Sequence, residues 1–180
     1  MKLMFASDIH GSRSATEAVL RQYALEKADR LVLLGDLLYH GPRNDLPDAY
    51  DPKAVTALLN GAKDELLCVR GNCDAEVDQM VLEFPIMADY ALFDLDGRAA
   101  FVTHGHLFHT DNLPPHKDGD LLIHGHTHLL TAQQAGGMTY INPGSAALPK
   151  GGNPKSYMVY ERGVFTVKTL DGEPILTHHI

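Results

Sequence analysis

Short runs of apolar residues, each closed by a glycine or a polar loop, divide the chain into strand-length units. Residues 2–6 (Lys-Leu-Met-Phe-Ala) and 31–34 are almost wholly apolar, the pattern of strands buried on both faces. Between them Val19, Leu20, Tyr23 and Ala24 recur at helical spacing. Ser14-Ala15-Thr16-Glu17 has capping-box spacing, so the pattern predicts a helix over 15–27. Strand, helix and strand in that order predict a parallel pair covered by the helix. Asp51-Pro52 supplies an N-cap and a first-turn proline for a second helix running to about Gly61. A third strand is predicted over 65–70 and a short helical segment over 75–82.

From Tyr90 the pattern changes to hairpins. Residues 91–95 and 99–102 flank the turn pair Asp96-Gly97, and Gly136-Gly137 turns a second hairpin. Residues 156–160 and 164–170, joined near Arg162-Gly163, form the last one. Leu121-Leu122-Ile123 reads as a short buried strand. Segments 37–50 and 112–119 are too polar for a core and read as loops, the first as a pocket wall. His178 and His179 are expected to lie solvated at a frayed carboxyl end. Parallel units followed by hairpins predict an α/β protein with two packed sheets, helices outside and one domain over 1–180.

Composition agrees with that picture and narrows the partners. A chain of 180 residues, 44% hydrophobic and 21% charged, can bury a sizeable core without disulfides. Its net charge of −8, from 23 acidic and 15 basic residues with no Lys/Arg cluster, disfavours a broad nucleic-acid or anionic-membrane surface. The apolar run after Met1-Lys2 is too short for a signal peptide or membrane span, which points to the cytoplasm. Cys68 and Cys73 lack zinc-finger or redox spacing and read as reduced thiols.

The strand ends carry the candidate chemistry. Ile123-His124-Gly125-His126-Thr127-His128 delivers three imidazoles together at the end of an apolar run. Asp8-Ile9-His10-Gly11, Gly35-Asp36, Gly71-Asn72 and Thr103-His104-Gly105-His106 likewise follow strand-like runs and set a ligand-type side chain beside a glycine. The candidate metal ligands are therefore Asp8, His10, Asp36, Asn72, His104, His126 and His128. Carboxylate, imidazole and amide donors without thiolate suit Mn, Fe, Zn or Ni. Seven donors are too many for one ion and a natural number for two with a bridging carboxylate, a centre suited to phosphoester hydrolysis. Two such cations would make a pocket locally positive on an acidic chain. His40, Arg43 and Asn44 are candidates to line it, since a guanidinium suits phosphate oxygens. His124 is expected to face the core, and Asn142-Pro143-Gly144-Ser145 to support the site.

In order along the chain, Asp8-x-His10, Gly35-Asp36, Gly71-Asn72-Cys73-Asp74, His104-Gly105 and Gly125-His126-x-His128 match the five motifs of the calcineurin-like metallophosphoesterases. The chain most resembles the small bacterial YfcE-type phosphodiesterases, over essentially its whole length. The resemblance implies a four-layer α/β/β/α sandwich of two mixed sheets. It also implies a metal-dependent phosphodiesterase with two divalent ions, usually Mn2+, and a small phosphodiester substrate. By the same resemblance Asp8, His10 and His128 would hold one ion, Asn72, His104 and His126 the other, and Asp36 both, with a bridging hydroxide as nucleophile. Asp36, Asn72 and His104 then form the catalytic set together with His106, which either supports a ligand or contacts the leaving group, while His40, Arg43 and Asn44, which either line the pocket or hold their loop, and Cys73 are the substrate-binding candidates. Many members have histidine where Cys73 stands. A thiol is a poorer proton donor, which predicts slower turnover and a preference for good leaving groups such as aryl esters. The resemblance leaves open a phosphomonoesterase or nucleotide hydrolase with the same ions. It also leaves open a non-catalytic scaffold like the retromer subunit of this fold, which predicts lost ligands, whereas all seven positions are filled here. A homo-oligomer is compatible with each reading.

Overall fold

The protein's computed structural model describes residues 1–180, apart from the side chain of Ala135, and contains two mixed β-sheets packed face to face. Lys2–Ala6 (β1), Arg30–Leu33 (β2) and Leu66–Cys68 (β3) run parallel. β1 and β2 are apolar because both faces are covered. Met4, Ala6, Leu31 and Leu33 pack towards the helices, and Leu3, Phe5 and Val32 towards the other sheet. Arg13–Glu26 (α1) connects β1 to β2, and Pro52–Gly61 (α2) connects β2 to β3.

The second helix starts where the sequence predicts, with the Asp51 carboxylate accepting from Ala54 N at 3.1 Å. The first starts two residues early. Ser12 caps it, accepting from Ala15 N at 3.2 Å, because its hydroxyl is itself anchored on Asp48 O at 2.7 Å, whereas Ser14 falls within the first turn. β3 is shorter than the apolar run, since Arg70 N turns away to Ala88 O at 2.8 Å. The helical segment that follows is a single turn, Glu76–Gln79 (α3).

Tyr90–Leu95 (β4) and Arg98–Thr103 (β5) form the hairpin expected at Asp96-Gly97. Leu121–Ile123 (β6), Leu130–Ala135 (β7) and Met138–Pro143 (β8) complete the second sheet in the order β4-β5-β6-β8-β7. Hairpin turns alone suggest an antiparallel sheet, yet β5, β6 and β8 run parallel and only the edge strands β4 and β7 oppose them. The carboxyl ends of β5 and β6 thereby carry candidate ligands, as those of β1, β2 and β3 do. The outer face of this sheet is covered by the 104–120 segment, whose Phe108 and Leu113 pack on Phe101, Leu122 and Tyr140.

The chain then returns to the first sheet. Ser156–Glu161 (β9) lies antiparallel to β1, and Val164–Thr169 (β10) and Pro174–His179 (β11) finish the order β11-β10-β9-β1-β2-β3. β11 corrects the expectation of a frayed end, for His178 and His179 pair with Phe165 and Val164. Its inward face is carried only by Leu176, with Ile180 just beyond the strand, both packing on the core between the sheets, and Thr177, His178 and His179 obscure the period. Among the described residues no helix is long and apolar enough to cross a membrane.

One polar cluster ties α1 to the first sheet. The Glu26 carboxylate accepts from Lys2 Nζ at 2.8 Å, Lys168 Nζ at 2.6 Å and Tyr157 OH at 2.9 Å. Burial disfavours its charge, but these donors win and hold its pKa down to about 2, against an ordinary 4.5. A depressed carboxyl pKa contributes stability above the unfolded value that is lost as pH falls through the folded one. The wild type should therefore lose more Tm between pH 4.5 and pH 2 than Glu26→Gln, which starts lower at pH 7 but does not titrate. Parallel melting profiles over that range would contradict the assignment.

Candidate metal centre

Each candidate ligand stands just beyond the carboxyl end of a parallel strand, where open α/β sheets hold their ligands. Asp8 and His10 follow β1, Asp36 follows β2, Asn72 follows β3, His104 follows β5, and His126 and His128 follow β6. Five of them, Asp8, His10, Asp36, His126 and His128, have φ between 50° and 65°. This left-handed conformation costs a non-glycine residue about 1 kcal/mol, so the turns hold these side chains inward against their local preference.

The donors form two halves joined by one carboxylate. In the first, Asp8 Oδ1 lies 3.3 Å from His128 Nε2 and 3.7 Å from His10 Nε2, and those two nitrogens are 3.3 Å apart. In the second, His104 Nε2 lies 3.1 Å from Asn72 Oδ1 and 3.2 Å from His126 Nδ1. Asp36 Oδ2 sits between, 3.6 Å from His10 Nε2 and 3.5 Å from His104 Nε2. The outer nitrogens are committed elsewhere: Nδ1 of His10 donates to Tyr39 O at 2.8 Å, that of His104 to Leu34 O at 2.7 Å, and that of His128 to Leu148 O. These bonds fix the tautomers and turn the Nε2 lone pairs towards the centre.

Such an arrangement is unfavourable for the side chains alone. Asp8 Oδ1 is buried and accepts no hydrogen bond, while the Nε2 atoms of His10 and His128, both left as acceptors, face one another at 3.3 Å. A cation among the donors removes both penalties, and the donor set fits divalent transition ions. Burial disfavours a charge on His104, but Asp36 and Asp8 prevail and raise its pKa to about 9. Burial and the charge on His104 push His126 down to about 4. Despite burial, the imidazoles hold Asp8 and Asp36 below the usual carboxylate range. A cation taken up here displaces the His104 proton, so uptake strengthens with pH.

Residues outside the donor set hold its loops together. Asp74 Oδ2 accepts from Asp36 N at 2.8 Å and Gly71 N at 2.7 Å, and its Oδ1 from Leu37 N at 2.9 Å, which clamps the turns after β2 and β3. Ser145 Oγ donates to Asp8 O at 2.8 Å, and Asn142 Nδ2 donates to Gly125 O at 2.8 Å, so the turn after β8 supports the site as expected. Ser7 Oγ occupies the second Asp8 oxygen at 2.7 Å and leaves Oδ1 to the centre.

The calcineurin-like phosphoesterase superfamily domain matches residues 1–163, a span that holds all five strand-end motifs. The chain belongs to this superfamily. Within the calcineurin-like phosphoesterases, phosphodiesterase YfcE of Escherichia coli (strain K12) is 51% identical over 176 residues, 98% of this chain and 96% of that protein. The solved structure of YfcE, a phosphoesterase from E. coli, matches with a TM-score of 0.96 and covers 100% of both chains. Vps29 of Entamoeba histolytica complexed with Zn2+, 21% identical, shares the fold with a TM-score of 0.61 over 100% of this chain and 98% of that one.

A cavity of ≈ 370 Å³ adjoins the donors. His10, Asp36, Asn72, His126 and His128 line it, and Arg43, Asn44 and Cys73 do so as the sequence suggests. Thr127 and Lys150 line it too. Thr127 is adjacent to two candidate ligands in the sequence, but Lys150 is brought in only by the fold, its N–H donating to His128 O at 3.1 Å. Burial and the neighbouring Asp36 push the Cys73 thiol up to about 12, so it stays neutral at physiological pH. His40 does not reach the cavity wall. Its ring packs edge-on against Tyr39 and Tyr50, at 4.8 and 5.4 Å between centroids. His106 also stands outside the lining, 5.4 Å from the His104 ring and 6.3 Å from that of His126. His124 is buried, in keeping with a core-facing role.

Proposed function

We propose that the protein is a metal-dependent phosphodiesterase acting on a small phosphodiester. Asp8, His10 and His128 hold one divalent ion, Asn72, His104 and His126 a second, and Asp36 both, with Mn2+ the ion to test first. The reading rests on one observation above all: two halves of inward-facing donors share the Asp36 carboxylate, and Asp8 Oδ1 lies buried among them without a partner. When bound, the ions supply a water deprotonated near neutral pH as the nucleophile and offset the charge developing on the phosphoryl oxygens.

The chain's own residues set the rest. The Cys73 N–H holds Asp36 Oδ1 at 2.8 Å and so fixes which oxygen faces the donors. Arg43 offers a guanidinium for a phosphoryl oxygen, and Asn44 fixes the Arg43 turn by donating to His40 O at 2.8 Å. A neutral Cys73 is a weak acid beside the departing oxygen, so esters of acidic alcohols react fastest. His106, whose ring lies 5.4 Å from that of His104 and whose Nδ1 has no partner, either supports that ligand or reaches the leaving group. Cys68 and Cys73 are both free thiols, in keeping with action in the cytoplasm.

The test is hydrolysis of bis(p-nitrophenyl) phosphate and of p-nitrophenyl phosphate at equal concentration by chelator-treated protein, with and without Mn2+, beside Asp36→Asn. Metal-dependent turnover of the diester, reduced by about 100-fold or more in the variant, is expected. Preference for the monoester would replace the reading with a phosphomonoesterase. Metal uptake without turnover of either ester would replace it with a scaffold role.

A further inference from the structure

We infer that Lys150 selects phosphodiesters whose ester arm carries a second phosphate group. The inference rests on the phosphodiesterase reading and narrows its substrate class. Outside the candidate ligands, the cavity lining holds two side-chain cations, Arg43 and Lys150, and no further carboxylate. Two side-chain cations thus line one cavity on a chain whose net charge is −8.

The two cations stand on different flanks. The 41–44 turn lies beside Cys73, since a Cβ on Gly41 would come within 3.2 Å of its Sγ. Lys150 lies beside His128, its N–H bonded to His128 O at 3.1 Å. Its backbone is pinned from the other side as well, the Lys150 carbonyl accepting from Asn153 N at 3.2 Å and Asn153 Nδ2 at 2.8 Å. The other lysines divide: Lys155 pairs with Asp48 at 2.7 Å, whereas Lys27, Lys53 and Lys117 form no ion pair among the described residues. Lys150 forms no ion pair among the described residues.

A phosphodiester bears one negative charge at neutral pH, which the Arg43 flank meets. The Lys150 ammonium is then surplus unless the substrate brings another anion. A phosphate is the match in charge density for a compact ammonium. The cavity, ≈ 370 Å³, lies within the range of small-ligand sites and has room for more than one phosphoryl group.

The probes are the p-nitrophenyl ester of thymidine 5′-phosphate and the same ester carrying a 3′-phosphate. Each is assayed with Mn2+-loaded wild type, Lys150→Ala and Lys150→Arg. In parallel, calorimetry compares binding of thymidine 5′-phosphate and thymidine 3′,5′-bisphosphate to the same proteins. The extra phosphate should raise kcat/KM about fivefold at low salt in the wild type, the scale of a solvent-exposed ion pair. That ratio should fall to about one in Lys150→Ala, persist in Lys150→Arg and shrink with added salt. The binding ratio should follow the same order. No preference in the wild type, or a preference that survives in Lys150→Ala, overturns the inference. Loss of turnover of every ester, with the binding ratio intact, overturns the phosphodiesterase reading and leaves Lys150 as a phosphate-selecting residue.

Discussion

Saturating chelator-treated protein with a divalent cation should raise its Tm by about 10–20 °C. The donor cluster is locally unstable on its own. Five of its residues hold left-handed backbone, Asp8 Oδ1 is a buried acceptor without a donor, and the acceptor nitrogens of His10 and His128 face each other at 3.3 Å. At about 1 kcal/mol for each left-handed residue the strain alone is about 5 kcal/mol, comparable with the whole net stability of many domains. A ligand at 100 times its Kd stabilises the folded state by about 2.7 kcal/mol, so two sites give about 5 kcal/mol. In a domain of this size each kcal/mol moves Tm by about 2–4 °C, which sets the expected shift. Thermal melts with chelator and with excess Mn2+ or Zn2+ make the comparison. A rise below about 2 °C at saturation would mean that the strained turns are stabilised by the protein alone, and the two-ion reading of the cluster would fail.

The same strain marks the limit of what the chain discloses before it folds. Apolar runs bounded by glycine place β1 and β2 within a residue, and Asp51-Pro52 places the start of α2, because burial on both faces and capping are local signals. Pairing direction is not local. β5, β6 and β8 run parallel because their connections cross over, whatever the turns at Asp96-Gly97 and Gly136-Gly137 suggest. Ser12 outcompetes Ser14 as a cap through Asp48, a residue remote in sequence.

The seven donors are legible because oxygen and nitrogen side chains recur after each apolar run, and the structure brings all seven together. Their left-handed backbones are barely legible, since Asp and His adopt that conformation more often than most residues but still only in a minority of cases. His106 and His40 lie close to donors in sequence and yet outside the cavity lining. The chain turns at Gly105, with φ 109°, and at Gly41, with φ 79°, so side chains next to these glycines need not share the cavity. Lys150 had the opposite fate. Nothing near Pro149 and Gly151 marks it, and only the hydrogen bond from its backbone to His128 O places it at the site.

Two glycine-to-alanine substitutions should then act in opposite directions. Gly71→Ala should lower metal-dependent turnover by about 100-fold or more, whereas Gly61→Ala should leave turnover unchanged and raise Tm slightly. Gly71 does not need a left-handed backbone; what a larger residue lacks there is space. A Cβ there would overlap Asp36 Oδ1 and the Asp36 N–H, and a Cβ on Gly35 would overlap Gly71 N. The turns after β2 and β3 thus touch through their backbones, and the Asp74 carboxylate clamps them at that separation. Alanine at 71 forces the Asp36 carboxylate off the line between His10 and His104. A displacement of about 1 Å in a catalytic group is enough for a 100-fold loss. Gly61 closes α2, and a Cβ there meets nothing within 4 Å. Alanine lowers the conformational entropy of the unfolded chain and favours helix, which is worth about 0.5–1 kcal/mol and a few degrees in Tm. Steady-state kinetics with bis(p-nitrophenyl) phosphate, metal content by atomic emission and thermal melts read all three effects. Should Gly71→Ala keep full turnover and both ions, the Asp36 carboxylate would have room to move without loss, and its placement between the two halves would no longer explain why these turns are packed to backbone contact.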